Sequence, residues 1–371
     1  MIHDIFKSNA LKSMTIFSIA FLFLVLCHPP SGKNIEKKSE ISTIIKKDFI
    51  LITPTMNQVI SLGEAVDFLF KAQGQVLSID STEVYLDGEK ICTEKTKGLS
   101  FRDKTLFHKV GHQNIRLKIF YGQKQIQTLS TSLIILSNEE PKILHFKVVR
   151  QIMHDTLSYT QGLIYYKGFI YEGTGLEGRS KLKKIDPSNG NTLMERKLDN
   201  DFFGEGITIL NNEIYQLTYL SKVGFVYNLE TFELIRKFSM QTREGWGLTT
   251  DGQYLIVSDG SSLIYYYDRE YFTQTNQLDV SDQKELVGKL NELEYVNGYI
   301  WANIYGKSWI VKIESKTGII KAQIDLKNIF PKGMPVSYDY VLNGIAYNPD
   351  NNTFFITGKL WPVIYEIKIV D

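Results

Sequence analysis

From about residue 143 to the C-terminus, short runs of alternating apolar and polar residues recur as a repeat. Five segments open on an X-Gly-aliphatic or related triplet and continue as a strand, a turn and a second strand: QGLIYYKGFIYEGTG, EGITILNNEIYQLTY, WGLTTDGQYLIVSDG, NELEYVNGYIWANIY and NGIAYNPDNNTFFITGK. The triplets begin at Gln161, Glu205, Trp246, Asn291 and Asn343, at intervals of 44, 41, 45 and 52 residues. That period belongs to propeller blades rather than to helical solenoids. Further strand pairs follow several of the hairpins (LKKIDPSNGNTLMERKL, FVYNLETFELIRKF, IVKIESKTGIIKAQIDL), which gives four strands per unit. The expected fold is all-β, with a five-bladed β-propeller over residues 142–371.

The last copy stops short: after its hairpin only WPVIYEIKI remains. Just before the first triplet, KILHFKVVRQI (142–152) is a strand with no blade of its own. Pairing the two would close the ring and remove open edges. A ring of six blades finds no sixth triplet.

Residues 48–140 alternate differently, in FILITP, AVDFLFKA, STEVYLDGEKI, NIRLKIFYG and STSLIIL, with turn signals between them. They predict a small antiparallel sandwich of immunoglobulin-like type, bounded by Asn138-Glu139-Glu140-Pro141. His108 and His112 stand four apart, but on a strand approach interrupted by Gly111, so they read as ordinary surface or turn histidines rather than metal ligands. Ahead of the sandwich, the apolar run Met14–Cys27 behind Lys7 and Lys12 reads as a secretory signal over residues 1–27. A polar, Lys-rich linker follows over 28–47. An exported protein of the periplasm or cell envelope is expected. Cys27 sits where a bacterial lipoprotein would carry its lipid, although Leu26 is larger than signal peptidases favour. Beyond it only Cys92 remains, which leaves no intramolecular disulfide and no cysteine-based metal site in a mature chain. With 42 Lys+Arg against 41 Asp+Glu the charge is balanced, and nothing favours a nucleic-acid partner.

A hairpin returns to the end it left, so the triplets and the ends of the returning strands should share one mouth of the ring. That mouth would gather Gln161, Glu205, Trp246, Asn291 and Asn343 with Glu172, Tyr219, Asp259, Trp301, Asn303 and Lys359. One carboxylate at a triplet position, several amides, a lysine and aromatic walls describe a small-ligand pocket.

The segments YTQGL, EGTGLEGRSKL, FGEGIT, QLTY, EGWGLTTDG, SDGSSL, LNELEYVNGYIWAN, LNGIAYN and TGKLWP, in this order, resemble those of the propeller-type glutaminyl cyclotransferases of plants and bacteria. The likeness spans 143–371. It implies an enzyme that closes N-terminal glutamine of peptides and proteins into pyroglutamate with loss of ammonia, without a catalytic metal or cofactor. It also implies Glu205 and Lys359 as catalytic groups, and a pocket lined by Tyr159, Gln161, Phe203, Tyr219, Trp246, Asn291 and Trp301. Tyr159 and Tyr219 depart from the phenylalanine and tryptophan common in the family, but both keep an aromatic wall. Glu205 would shuttle the proton, Lys359 would stabilise the oxyanion, and Asn291 and Gln161 would orient the substrate. A monomer is expected. Two other readings stand beside it: a non-catalytic envelope propeller that binds peptide N-termini or amines, and a calcium-dependent lyase or lactonase, for which Glu205, Asn291 and Asn343 offer ligands to an ion but which leaves the lysine and the tryptophans unexplained.

Overall fold

Buried aliphatic side chains on both faces of successive sheets dictate an all-β fold, and the computed structural model shows one, with its strands in seven sheets. The structure describes residues 48–73, 79–95, 98–103, 107 and 109–370. The signal at 1–27, Cys27, the linker at 28–47 and His108 lie outside the described residues.

Five of the sheets take the repeat units in order. Their innermost strands are Thr160–Tyr166, Gly204–Leu210, Leu248–Thr250, Leu290–Val296 and Leu342–Asn348, and each contacts the next, the fifth returning to the first. In each of the first four sheets the next three strands follow outward in chain order, antiparallel. Hairpins turn through consecutive residues of positive φ, Lys167-Gly168, Asn211-Asn212 and Asn297-Gly298. Such turns match the right-handed twist of the strands they join.

The Gly of the triplet has a packing cause. A Cβ on Gly206 would stand 2.6 Å from the Trp246 carbonyl oxygen, and one on Gly247 2.0 Å from the Asn291 carbonyl oxygen. Neighbouring inner strands therefore approach too closely for any side chain there. The fourth unit replaces Gly by Glu292, whose carboxylate instead crosses the centre and accepts the backbone N–H groups of Leu163 and Ile345. Two residues on, Glu294 accepts the N–H of Tyr347. A Cβ on Gly162 would likewise stand 2.5 Å from the Ile207 nitrogen, so the first four inner strands are tied through backbone approach, and the fourth unit adds side-chain ties to the first and fifth.

The fifth sheet is completed from the other end of the repeat region. His145–Met153 pairs antiparallel with Val363–Val370 and forms its outer strand. His154 then links the first and fifth sheets: one ring nitrogen lies 3.0 Å from the Glu172 carboxylate and the other 2.8 Å from the Trp361 carbonyl oxygen. Ahead of Leu144, Lys142–Ile143 pair in parallel with Ile320–Asp325 and add a fifth strand to the fourth sheet, so only His145–Met153 of the expected closing segment joins the fifth sheet.

Residues 49–136 form the other two sheets, one of three strands and one of five. Their facing sides bury Phe49, Phe68, Phe70, Leu117 and Leu133. The pattern differs from an all-antiparallel expectation at one edge, where Gln58–Ser61 runs parallel to Gln125–Leu136. The sandwich meets the third sheet of the ring through Asp279, whose carboxylate takes the His112 backbone N–H at 2.9 Å and lies 3.0 Å from its Nδ1, and the fourth through the Val110 N–H, which donates to the Thr317 carbonyl oxygen. His112 thus braces a junction, as an ordinary hydrogen-bonding histidine.

Candidate active site

The triplet residues are re-aimed by β-bulges. Register slips between Thr160 and Gly162, Gly204 and Ile207, Leu290 and Leu293, and Leu342 and Ile345, so the extra residues fall at Gln161, Glu205, Asn291 and Asn343. A bulge turns a side chain out of the strict alternation of its strand. Here it turns polar groups toward one end of the ring while the aliphatic residues that follow stay between the sheets.

Three of them form a chain of hydrogen bonds. Asn343 donates its Nδ2 to the Thr160 carbonyl oxygen at 2.9 Å and to Gln161 Oε1 at 3.1 Å. Gln161 in turn donates Nε2 to Glu205 Oε1 at 3.1 Å. Glu205 is buried, with only 4% of its surface exposed. Burial raises its pKa well above the ordinary carboxylate value, the Lys359 charge pulls it back, and Glu244 adds to the rise.

Lys359 faces it from the fifth sheet. Its N–H bonds to the Val341 carbonyl oxygen, and Gly358 beside it lies so close to the Trp361 ring that a Cβ would come within 2.4 Å. This packing fixes the turn and points the ammonium inward, 4.6 Å from the Tyr159 ring centre and 5.1 Å from that of Tyr305. Burial lowers the Lys359 pKa to about 8, against the opposing charges of Glu205 and Asp339. Desolvation thus pushes the acid and the base of this pair toward each other, as expected of groups tuned for proton transfer near neutral pH.

An aromatic wall surrounds the pair. Tyr159 meets Phe203 edge-on at 6.2 Å, and Phe203 packs on Tyr219 at 5.8 Å. On the opposite side Trp246 meets Tyr305 edge-on at 5.6 Å, and Trp246 Nε1 donates to Glu244 at 2.9 Å. Asn291 is buried at the same end, beside the Lys289–Tyr305 backbone hydrogen bond, and its main-chain oxygen accepts the Ser258 hydroxyl.

Trp301 is not brought into this wall. It lies three residues after the turn at the far end of the hairpin, and strand alternation turns it toward the fifth sheet, where it packs on Phe354 at 5.0 Å in the core. Tyr305, just past the end of the same strand, occupies the mouth instead. Glu172 is equally remote in role: burial alone would raise its pKa, but His154, Lys183 and the Thr160 hydroxyl hold it low within a buried ion network. Asp259 braces a turn through Ser261 and Tyr265, and Asn303 accepts the Gly344 N–H.

Sequence reasoning missed Glu244, Tyr305 and Asp339. Glu244 stands two residues before the third triplet and could have been suspected as a carboxylate flanking it. Tyr305 and Asp339 lie beyond the hairpins and carry no periodic signal. Among the described residues no group of three or more His, Cys, Asp or Glu side chains is placed to hold a metal ion.

At the mouth of the ring a buried carboxylate, Glu205, and a buried lysine, Lys359, stand behind aromatic rings, an arrangement suited to proton transfer on a small polar group. The glutamine cyclotransferase family matches residues 121–369, and the chain belongs to that family. It is 38% identical to the glutaminyl-peptide cyclotransferase of Arabidopsis thaliana over 62% of this chain and 72% of that one. The solved structure of Myxococcus xanthus glutaminyl cyclase is similar with a TM-score of 0.58 and 30% identity, over 62% of this chain and all of the other. The chain is therefore a cyclotransferase enzyme.

Proposed function

We propose that this cyclotransferase converts the N-terminal glutamine of peptides and proteins to pyroglutamate, with Glu205 and Lys359 as its catalytic groups. The reaction joins the α-amine to the γ-carboxamide carbon and expels ammonia. A proton must leave the attacking nitrogen and reach the departing one, and negative charge must be held on the carbonyl oxygen between the two steps.

The observation that carries the reading is the buried Glu205, held by Gln161 within reach of the Lys359 charge. As a carboxylate with a raised pKa, Glu205 accepts the proton that attack makes acidic. As the resulting acid it returns that proton to the leaving nitrogen. Gln161 donates to Oε1, which leaves the other oxygen for this exchange. Lys359, protonated below about pH 8, offers its charge to the developing oxyanion. Tyr159, Phe203, Tyr219, Trp246 and Tyr305 hold the glutaminyl chain folded and keep water out, and the intramolecular attack then needs little beyond positioning. Asn291 supplies a further hydrogen-bonding group at the same end. A lysine at the centre already provides the positive charge that a metal ion would bring, so the chemistry is proposed to be metal-independent.

The closed circuit of five inner strands supports a five-bladed propeller, and the two facing sheets of residues 49–136 support an immunoglobulin-like module docked on it. Export, and Cys27 as a candidate for lipid attachment, rest on the composition of residues 1–27. Ammonia release from a Gln-initiated dipeptide, measured with and without chelator, tests the reading: release unaffected by chelation supports it, and no release from any such peptide overturns it.

A further inference from the structure

Beside the mouth, a cavity of about 390 Å³ opens between the segment 326–342 and the turn that carries Lys359. Leu326, Phe330 and Trp361 line its depth, Tyr338 forms one wall, and Lys307 and Lys327 stand at its rim. The cavity falls within the size range of sites that take a small organic group, and most of its named lining is apolar.

Two features join it to the catalytic pair. Lys359 and Trp361 are two residues apart on one turn, which places the ammonium in the mouth and the indole in the cavity. Trp361 is locked there by a 2.8 Å hydrogen bond from its Nε1 to the Tyr340 carbonyl oxygen and by edge-on packing with Phe330. The second link is aromatic: Tyr305 lies 5.1 Å from Lys359 Nζ and stacks on Tyr338 at 5.9 Å. Tyr338 is thus shared between mouth and cavity, and Asp339 next to it acts on Lys359, Tyr159 and Tyr305.

The two ring steps from Lys359 to Tyr338 are comparable to the span of three residues of extended peptide, at roughly 3.3–3.6 Å each. A peptide whose glutamine sits at Lys359 therefore reaches the cavity with one of its next two residues. We propose that the cavity is a subsite that receives an apolar side chain from the second or third residue of the substrate, resting on the assignment of Glu205 and Lys359 as the cyclising site. The exposed lip of Val336, with 94% of its surface accessible, and of Tyr338, with 66%, is apolar surface waiting to be covered by that chain. Lysines at the rim disfavour a basic side chain at the same place.

Two peptide series test it, Gln-X-Ala-amide and Gln-Ala-X-amide with X as Leu, Ala or Lys, scored by kcat/KM for ammonia release. At one of the two positions Leu is expected to exceed Ala by about tenfold and Lys by more, the size that a few buried methylenes provide. In Val336→Asp and in Tyr338→Ala, both surface changes that leave the core intact, the Leu-to-Ala ratio at that position is expected to fall below about twofold. Cyclisation that is indifferent to X at both positions overturns the subsite alone, and so does a preference that survives in both variants. Absence of ammonia from every peptide overturns the cyclising reading, and the subsite with it.

Discussion

Gln161 donates its side-chain amide to Glu205 at 3.1 Å, and that single bond sets which oxygen of the carboxylate is free. The amide has this orientation because Asn343 occupies its oxygen. A donor on Oε1 favours the ionised acid, against the burial that favours the neutral one.

Replacement of Glu205 by Gln keeps the shape and a hydrogen bond but removes the proton acceptor. We expect kcat for a Gln-initiated dipeptide to fall by roughly 10²–10⁴, the usual contribution of a general acid-base group. Steady-state ammonia release checks it. Full retained activity removes Glu205 from the mechanism.

Asn343→Asp tests the hydrogen-bond chain rather than the acid. A carboxylate cannot donate to Gln161 Oε1, so the Gln161 amide reverses and turns its oxygen toward Glu205. That favours the protonated acid. We expect kcat to drop by about tenfold and the acidic limb of its pH profile to move upward. A loss of thermal stability with an unmoved limb would mean that Asn343 only supports the fold.

Lys359 titrates at about 8 in its buried site. If its charge holds the oxyanion, kcat falls as pH rises through about 8, because deprotonation removes the charge. Lys359→Ala should lower kcat by about 10² or more, in the range of a lost oxyanion-hole donor, and abolish that descending limb. A variant with full activity, or with the same limb, excludes this role.

The repeat was readable because two demands recur in it, a bulge at the first triplet residue in four of the five units and a glycine at the second residue in four of the five. Hence Gln161, Glu205, Asn291 and Asn343 could be placed at one end of the ring from spacing alone. Lys359 could be placed at the same mouth because it follows a returning strand, and the resemblance supplied its catalytic role. Trp301 shows where spacing misleads: the segment is right, but alternation within the strand decides which face a residue takes, and IWAN alone does not show where the hairpin returns to the mouth. Tyr305 was hidden for the converse reason, as it lies past the strand where periodicity ends. The role of Glu292 was hidden too, because a carboxylate in a glycine position makes sense only once Leu163 and Ile345 are seen to present their N–H groups to it.

Glu294 offers a test of stability against pH. Burial pushes its pKa up to about 8, from an ordinary value near 4.5. Since the folded value is the higher one, its favourable contribution is complete below about pH 4.5 and is lost as pH rises through about 8. Glu294→Gln mimics the neutral acid and can still accept the Tyr347 N–H. We expect its Tm to match that of the parent near pH 4.5 and to exceed it at pH 8.5, by calorimetry at both values. An equal difference at both would show that the carboxyl does not titrate in this range.

The two tryptophans of the site segments should separate stability from binding. Trp301 is 5% exposed and packs against Phe354 in the core between the fourth and fifth sheets, whereas Trp246 is half-buried at the mouth, against Gly260 and Tyr305. Trp301→Ala leaves a large void and should destabilise the fold by about 3–5 kcal/mol, with KM for the folded fraction little changed. Trp246→Ala removes a pocket wall and the Glu244 hydrogen bond. It should raise KM by about tenfold or more, with a smaller stability loss because the ring is already partly in solvent. Denaturant midpoints and Michaelis parameters on the two variants decide it. If Trp301→Ala instead raised KM at unchanged stability, the wall would extend to Trp301 and its placement between the sheets would be wrong.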